Sequence, residues 1–310
     1  MKKAEKVKMQ PVALWEGNSF VRAASLGPNG EICVLWTICE SEILAEGVPG
    51  GMVEQPMDHE AVIFKDGQYI KVPLKNQKWS YHFIEYLSDY ELLLASSRSV
   101  FHEGGKEERN GRVFDLTGKI TRSFCLGDGI NHLSATGDGR IWTGYFDEGV
   151  YGNNHWEQPI GEKGLIGWDT EGNMVEWHDQ PRDHFISDCY AMNVVADGEV
   201  WFYFYDDFHI GIWKNGETVY RIPDIEGATV FAVHEDWILF SGGYANHGRY
   251  FLCKRNGNRY RTVQELILSD AKGRKIDILL TYARGAKLLL QSEKESYVFD
   301  LADWIRQNRM

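Results

Sequence analysis

Acidic, imidazole and amide side chains gather in two stretches of this chain. Asp147 and Glu148 precede Tyr151, Asn153, Asn154, His155 and Trp156, while Asp188 and Asp206 come later and His132 lies upstream. Carboxylates with imidazole and amide oxygens can hold a divalent cation such as calcium, magnesium or zinc, which polarises a carbonyl or activates a water. Asp147, Glu148, Asp188 and Asp206 are the candidate metal ligands. His132 and Asp188 are a candidate acid–base pair, provided that adjacent strands bring them together. The plainer alternative is that both satisfy water or backbone groups. No Glu-x-x-His, His-x-x-His or nucleophile elbow accompanies them, and Asp and Asn also close turns for local reasons. The second available chemistry is recognition. Trp156, set among Asn and His on a polar stretch, suits a sugar or a protein partner. Tyr151, Asn153, Asn154, His155 and Tyr205 complete the candidate ligand-binding set.

These groups need a frame, and the frame is written in turns. Asn29-Gly30, Asp138-Gly139 and Asp197-Gly198 each precede alternating apolar and aromatic residues. Asn-Gly and Asp-Gly supply the positive φ angles of a tight hairpin, and the alternation that follows is that of a strand. A second set of apolar strands runs into turns at Lys65-Asp66-Gly67, Leu116-Thr117-Gly118, Thr170-Glu171-Gly172, Lys214-Asn215-Gly216 and Arg255-Asn256-Gly257. The spacing predicts an all-β chain forming one six-bladed β-propeller over residues 1–310, with four antiparallel strands per blade. The blades fall at roughly 20–75, 80–125, 130–179, 187–223, 228–268 and 277–301. The last blade lacks an outer strand, which residues 7–14 can supply to close the ring beside Tyr297–Phe299. Pro49, Pro56 and Pro159 are placed in long loops, and Pro11 and Pro73 on outer strands. The run Trp201-Phe202-Tyr203-Phe204 reads as a doubly covered core strand, with Tyr205 emerging near the loops. A short terminal helix is expected near 302–306.

Loops that leave one face of such a ring converge on its axis, and ligands bind there. Two of them are long. One runs from Cys39 to His59 and the other from Phe146 to Lys163. Insertions on one face mark a working surface.

Charge and cysteine usage narrow the partners. The 310 residues carry a net charge of -12, which repels a phosphate backbone, so nucleic acid is not an expected partner. Five cysteines, widely spaced and without a Cys-x-x-Cys, read as free buried thiols in a reducing compartment. No apolar run approaches the roughly 20 residues of a membrane span, and Met1–Lys6 does not open like a signal peptide. The expectation is a cytoplasmic protein that engages no membrane.

The phrase Asp138-Gly139-Arg140-Ile141-Trp142-Thr143-Gly144 resembles the repeats of bacterial two-component-regulator propellers and, more loosely, of NHL-type and lactonase-type six-bladed propellers. The segments Gly127–Ile130 and Tyr145–Gly152 around it are similar to a group of functionally uncharacterised bacterial propellers. The resemblance implies the fold and carries no catalytic residue. The leading functional expectation is therefore a non-catalytic binding or sensing module that recognises a protein or a small polar ligand at its loop face. The alternative is a metal-dependent hydrolase or lyase, lactonase-like, with a cation at the channel mouth.

Overall fold

The computed structural model describes residues 4–15, 20–37, 51–88 and 90–310. Strands dominate. After β1 (Glu5–Met9) and β2 (Ala13–Leu14) come β3 (Phe20–Leu26), β4 (Ile32–Thr37), β5 (Met52–Lys65) and β6 (Gln68–Trp79). Then follow β7 (Phe83–Ser88), β8 (Glu91–Ala95), the short pair β9 (Phe101–His102) and β10 (Lys106–Glu107), β11 (Gly111–Asp115) and β12 (Ile120–Phe124). The next group is β13 (Ile130–Ala135), β14 (Ile141–Tyr145), helix α1 (Asp147–Tyr151), β15 (Leu165–Trp168) and β16 (Met174–Trp177). The remainder comprises β17 (Asp188–Ala196), β18 (Glu199–Tyr205), β19 (His209–Lys214), β20 (Glu217–Pro223), β21 (Phe231–His234), β22 (Trp237–Ser241), β23 (Tyr250–Asn256) and β24 (Arg259–Asp270). It ends with β25 (Leu280–Arg284), β26 (Lys287–Gln291), β27 (Glu295–Asp300) and helix α2 (Leu301–Gln307).

The chain divides into two compact units, residues 17–188 and residues 1–16 with 189–310. The first unit holds three four-stranded sheets, ordered β3-β4-β5-β6, β7-β8-β11-β12 and β13-β14-β15-β16. Each is an antiparallel meander, the shape of one propeller blade. The turns behave as their sequences dictate: Gly30 and Gly139 both sit at φ 87. Residues such as Leu35, Ile63, Trp79, Tyr81 and Phe114 fill the space between the first two sheets. Leu93, Leu126, Leu133, Tyr145 and Trp168 do the same for the second and third. Central strands are covered on both faces, so they read as unbroken apolar runs.

In the second unit the meanders β17-β18-β19-β20 and β21-β22-β23-β24 repeat the pattern, and β25-β26-β27 gains a fourth strand from β2. Short parallel bridges link these runs into one 13-stranded sheet. α2 buries Leu301, Trp304 and Ile305, and the Asp300 carboxylate caps it by accepting from the backbone N–H of Ala302 and Asp303.

Several expectations meet a different outcome. Residues 7–14 do not act as one strand: only Ala13 and Leu14 pair with β27, opposite Ser296 and Glu295. Glu5–Met9 instead run parallel to Leu266–Asp270 of β24, and Pro11 separates the two pieces. The first long loop is shorter than Cys39 to His59, because β5 already begins at Met52. Cys39 and Pro49 lie outside the described residues. Pro56 sits inside β5, where the pairing with β6 shifts register between Met52 and Met57, so its missing N–H interrupts no regular ladder. Cys33, Cys125, Cys189 and Cys253 are buried and form no disulfide. Among the described residues no helix is long and apolar enough to cross a membrane.

Candidate functional site

In the unit of residues 17–188 the chain enters each sheet at the end where the second strand leaves it. Loops from that end carry most of the singled-out residues. Asp128, just before β13, is 3% exposed. Its carboxylate accepts from the Ser99 N–H at 2.8 Å and from Asn154 Nδ2 at 3.1 Å, and Arg98 Nε lies 3.2 Å away. Burial pushes this carboxyl upward, against the pull of Ser99, Arg98 and Asn154. Arg98 reaches on to Glu148, which also accepts from Asn153 Nδ2 at 2.6 Å. Those two donors hold the Glu148 carboxyl below its usual range. α1 can approach so closely because Gly129, at φ 72, lies against Gly149. A Cβ on Gly129 would fall 2.3 Å from the Gly149 nitrogen.

This network is chiefly architectural, and it corrects the reading of Trp156. That side chain is 7% exposed rather than displayed on a loop. Its Nε1–H donates to the Ser99 carbonyl at 2.8 Å, and its ring packs 5.1 Å from Phe101. The β9–β10 hairpin supplies Phe101, and nothing in the alternation of the sequence announces that hairpin. His155 is exposed and, with Trp156, Phe101, His102 and Gln158, lines a cleft of about 740 Å³. Asn154 and His155 take the left-handed backbone region, at φ 46 and 66, where the loop reverses. Tyr151 is 65% exposed, and its ring lies 6.1 Å from that of Phe185.

The proposed metal ligands are not brought to one point. Among the described residues no three His, Cys, Asp or Glu side chains are grouped to hold an ion. Glu148 is committed to Arg98 and Asn153. Asp147 accepts from the Glu148 N–H at 2.8 Å. Asp206 is exposed and belongs to the other unit. Asp188 has its Oδ1 buried with no hydrogen-bond partner, and burial, then the charge of Asp147, raises its pKa to about 6. The charge named as acting on Asp188 is a carboxylate's, and His132 stands half-buried in β13.

The unit of residues 1–16 and 189–310 holds an aromatic group of which sequence reasoning found only one member. Trp201, Phe202, Tyr203 and Phe204 are buried as core, and Tyr205 emerges 42% exposed. Tyr205 stacks on Tyr190, with centroids 5.9 Å apart and planes at 16°. Phe208 meets both edge-on at 5.5 Å, and Tyr244 meets Phe208 at 6.0 Å. The hydroxyls of Tyr190 and Tyr244 lie 2.8 Å apart. Tyr244 is 61% exposed and rests over Gly227, where any Cβ would strike its ring at 2.6 Å. Tyr190 and Tyr244 border a cleft of about 400 Å³ with Ser241, His247, Lys275 and Asp277. The signal available in the sequence was slight: Tyr244 follows two glycines just beyond a strand, and Tyr190 is one more aromatic in a strand. The other group missed is Arg22 with His82, at the loop end of the first unit described above.

No family model matches this sequence, and no curated protein sequence matches it. Among solved structures, the chain is similar to one in the nidogen/laminin complex, at 8% identity over 82% of both chains with a TM-score of 0.47. It is also similar to the PQQ-bound form of aldose sugar dehydrogenase from Streptomyces coelicolor, at 10% identity over 95% of this chain and 97% of that one, with a TM-score of 0.49. No residue role is carried over from either.

Proposed function

We propose that this chain is a non-catalytic binding or sensing protein, a six-bladed propeller that takes a small polar ligand of sugar-like chemistry. The observation that carries this reading is the Tyr190–Tyr205–Phe208–Tyr244 group beside its cleft. Exposed aromatic rings held by one another lose little entropy on binding and offer flat apolar faces to a sugar ring. The Tyr190 and Tyr244 hydroxyls, with Lys275 and Asp277, supply donors and acceptors for its hydroxyl edge. The cleft volume of about 400 Å³ falls in the range of small-molecule sites. Four buried cysteines outside any disulfide, among the described residues, support a reducing, cytoplasmic setting.

The test is a calorimetric screen of neutral monosaccharides and short oligosaccharides. At least one should bind the native chain saturably. Tyr205→Ala and Tyr244→Ala should each weaken that binding by about tenfold or more, the loss of one ring contact. Both side chains are well exposed, so the melting temperature should move little. A screen without binders, or binding indifferent to both substitutions, overturns the reading.

A further inference from the structure

Arg22, near the start of β3, carries a half-buried guanidinium with an unusual set of neighbours. Its Nε–H donates to the Tyr81 carbonyl at 3.1 Å, and its Nη2 donates to Ser80 Oγ. The same Nη2 lies 3.2 Å from Nε2 of His82. Among the described residues no carboxylate lies within ion-pair distance of Arg22. Arg98, the other arginine whose charge reaches His82, is by contrast paired with Asp128 and Glu148. A desolvated guanidinium without a counter-charge is costly unless something else supplies one.

The imidazole sharpens the point. The Ser97 backbone N–H donates to His82 Nδ1 at 3.2 Å, and an amide N–H can only donate. Nδ1 is therefore the accepting nitrogen, and in the neutral ring the proton sits on Nε2. Arg22 has no acceptor either. Two donors, Nη2–H and Nε2–H, thus face one another across 3.2 Å. Neither can satisfy the other, whereas one oxygen atom seated over both nitrogens accepts from both. Ser80 Oγ, which already accepts from Arg22, has its own proton left to donate to the same group. Burial and the charges of Arg22 and Arg98 hold the ring neutral, with its pKa lowered to about 4, so at neutral pH the pair carries the single positive charge of Arg22.

We propose that Arg22, His82 and Ser80 form a seat for one oxyanion, a carboxylate or phosphate group borne by a small ligand. Charge-assisted, forked hydrogen bonding from a guanidinium is what such groups bind best. The seat stands on residues distinct from the aromatic group proposed above for sugar-like ligands, and neither proposal needs the other.

The chain, labelled with ¹⁵N, tests this by NMR of the His82 ring nitrogens. Inorganic phosphate and acetate are titrated separately, with ionic strength held by chloride. Without added anion, Nε2 should carry the proton. At least one anion should then shift Nε2 saturably. Phosphate acting alone assigns the seat to phosphate, acetate acting alone assigns it to carboxylate, and both acting makes it a general oxyanion seat. In Arg22→Gln the same anion should bind about tenfold more weakly or not at all, with Arg22→Lys intermediate because it keeps the charge and loses the fork. A proton found on Nδ1, no saturable shift with either anion, or an Arg22→Gln variant that titrates like the native chain overturns the proposal. If Arg22→Gln does not fold, the tautomer and the native titrations decide alone.

Discussion

Buried histidines set how this molecule meets acid. His59, His82 and His178 all have pKa values lowered to about 4, from an ordinary 6.5, with burial the main cause. Between these values the unfolded chain binds a proton at each ring that the folded chain refuses. Stability is therefore full above about pH 6.5 and is lost as pH falls toward 4, on the order of 3 kcal/mol for each ring. Ring-carbon NMR should find these three histidines neutral at pH 5, and titration of any of them near 6.5 would contradict the burial account. Asp188 acts in the opposite sense. Its pKa is raised from 3.8 to about 6, so its contribution is present below 3.8 and is lost as pH rises through 6. Asp188→Asn should raise the unfolding free energy measured in urea at pH 8 by about 1 kcal/mol, once solvent screening of a half-exposed group is allowed for, and should change it little near pH 4. Trp156→Ala belongs with the core substitutions, at about 3–5 kcal/mol. Its polar neighbours in sequence disguised a ring whose true neighbours, Phe101 and the Ser99 carbonyl, arrive from more than fifty residues away.

At the scale of elements, buried amides tie strand ends together where no ladder reaches. Asn110 is fully buried. Its Nδ2 donates to the carbonyls of Ser96 and Gly127, and its Oδ1 accepts from the Leu126 N–H. Asn193 does the equivalent for the other unit, donating to the carbonyls of Phe231 and Gly285 and accepting from the Gly285 N–H. Asn110→Ala strands three buried backbone groups and should cost about 2–4 kcal/mol by denaturant unfolding. A change below about 0.5 kcal/mol, the scale of an ordinary surface substitution, would mean that water replaces the amide. Such clamps are invisible in sequence, because one asparagine looks like another until its distant partners are known. The hairpin turns were legible for the converse reason: Asp-Gly and Asn-Gly fix local backbone angles without help from elsewhere. β5 was hidden in between. Its first half, Met52 to Asp58, is largely exposed and contains Pro56, so it has neither the apolar alternation nor the composition that marks a strand.

For the whole molecule, the first fifteen residues decide how the unit of residues 1–16 and 189–310 is finished. Met9, Ala13 and Trp15 are buried there. The Trp15 Nε1–H donates to Ser296 Oγ at 2.8 Å, and Ser269 Oγ donates to the Val7 carbonyl at 3.0 Å. A pairing of the N-terminal segment with the last strand was legible from a blade one strand short. The parallel run of β1 along β24 was not, because an added edge strand is specified by the edge that it meets and carries no turn or spacing of its own. Lys6 and Lys8 face outward while Val7 and Met9 face inward, so the two sides of β1 separate the possible causes of any effect. Trp15→Ala should cost about 3–5 kcal/mol and Met9→Ala about 2–5 kcal/mol, whereas Lys8→Ala should lie within about 0.5 kcal/mol of the native chain. Removing residues 1–15 exposes the outer edges of β24 and β27 together. Hydrogen exchange should then quicken over Leu266–Asp270 and at Ser296, and the shortened chain should self-associate through the uncovered strands. Unchanged protection at both edges would mean that β1 and β2 lie on a surface already complete without them.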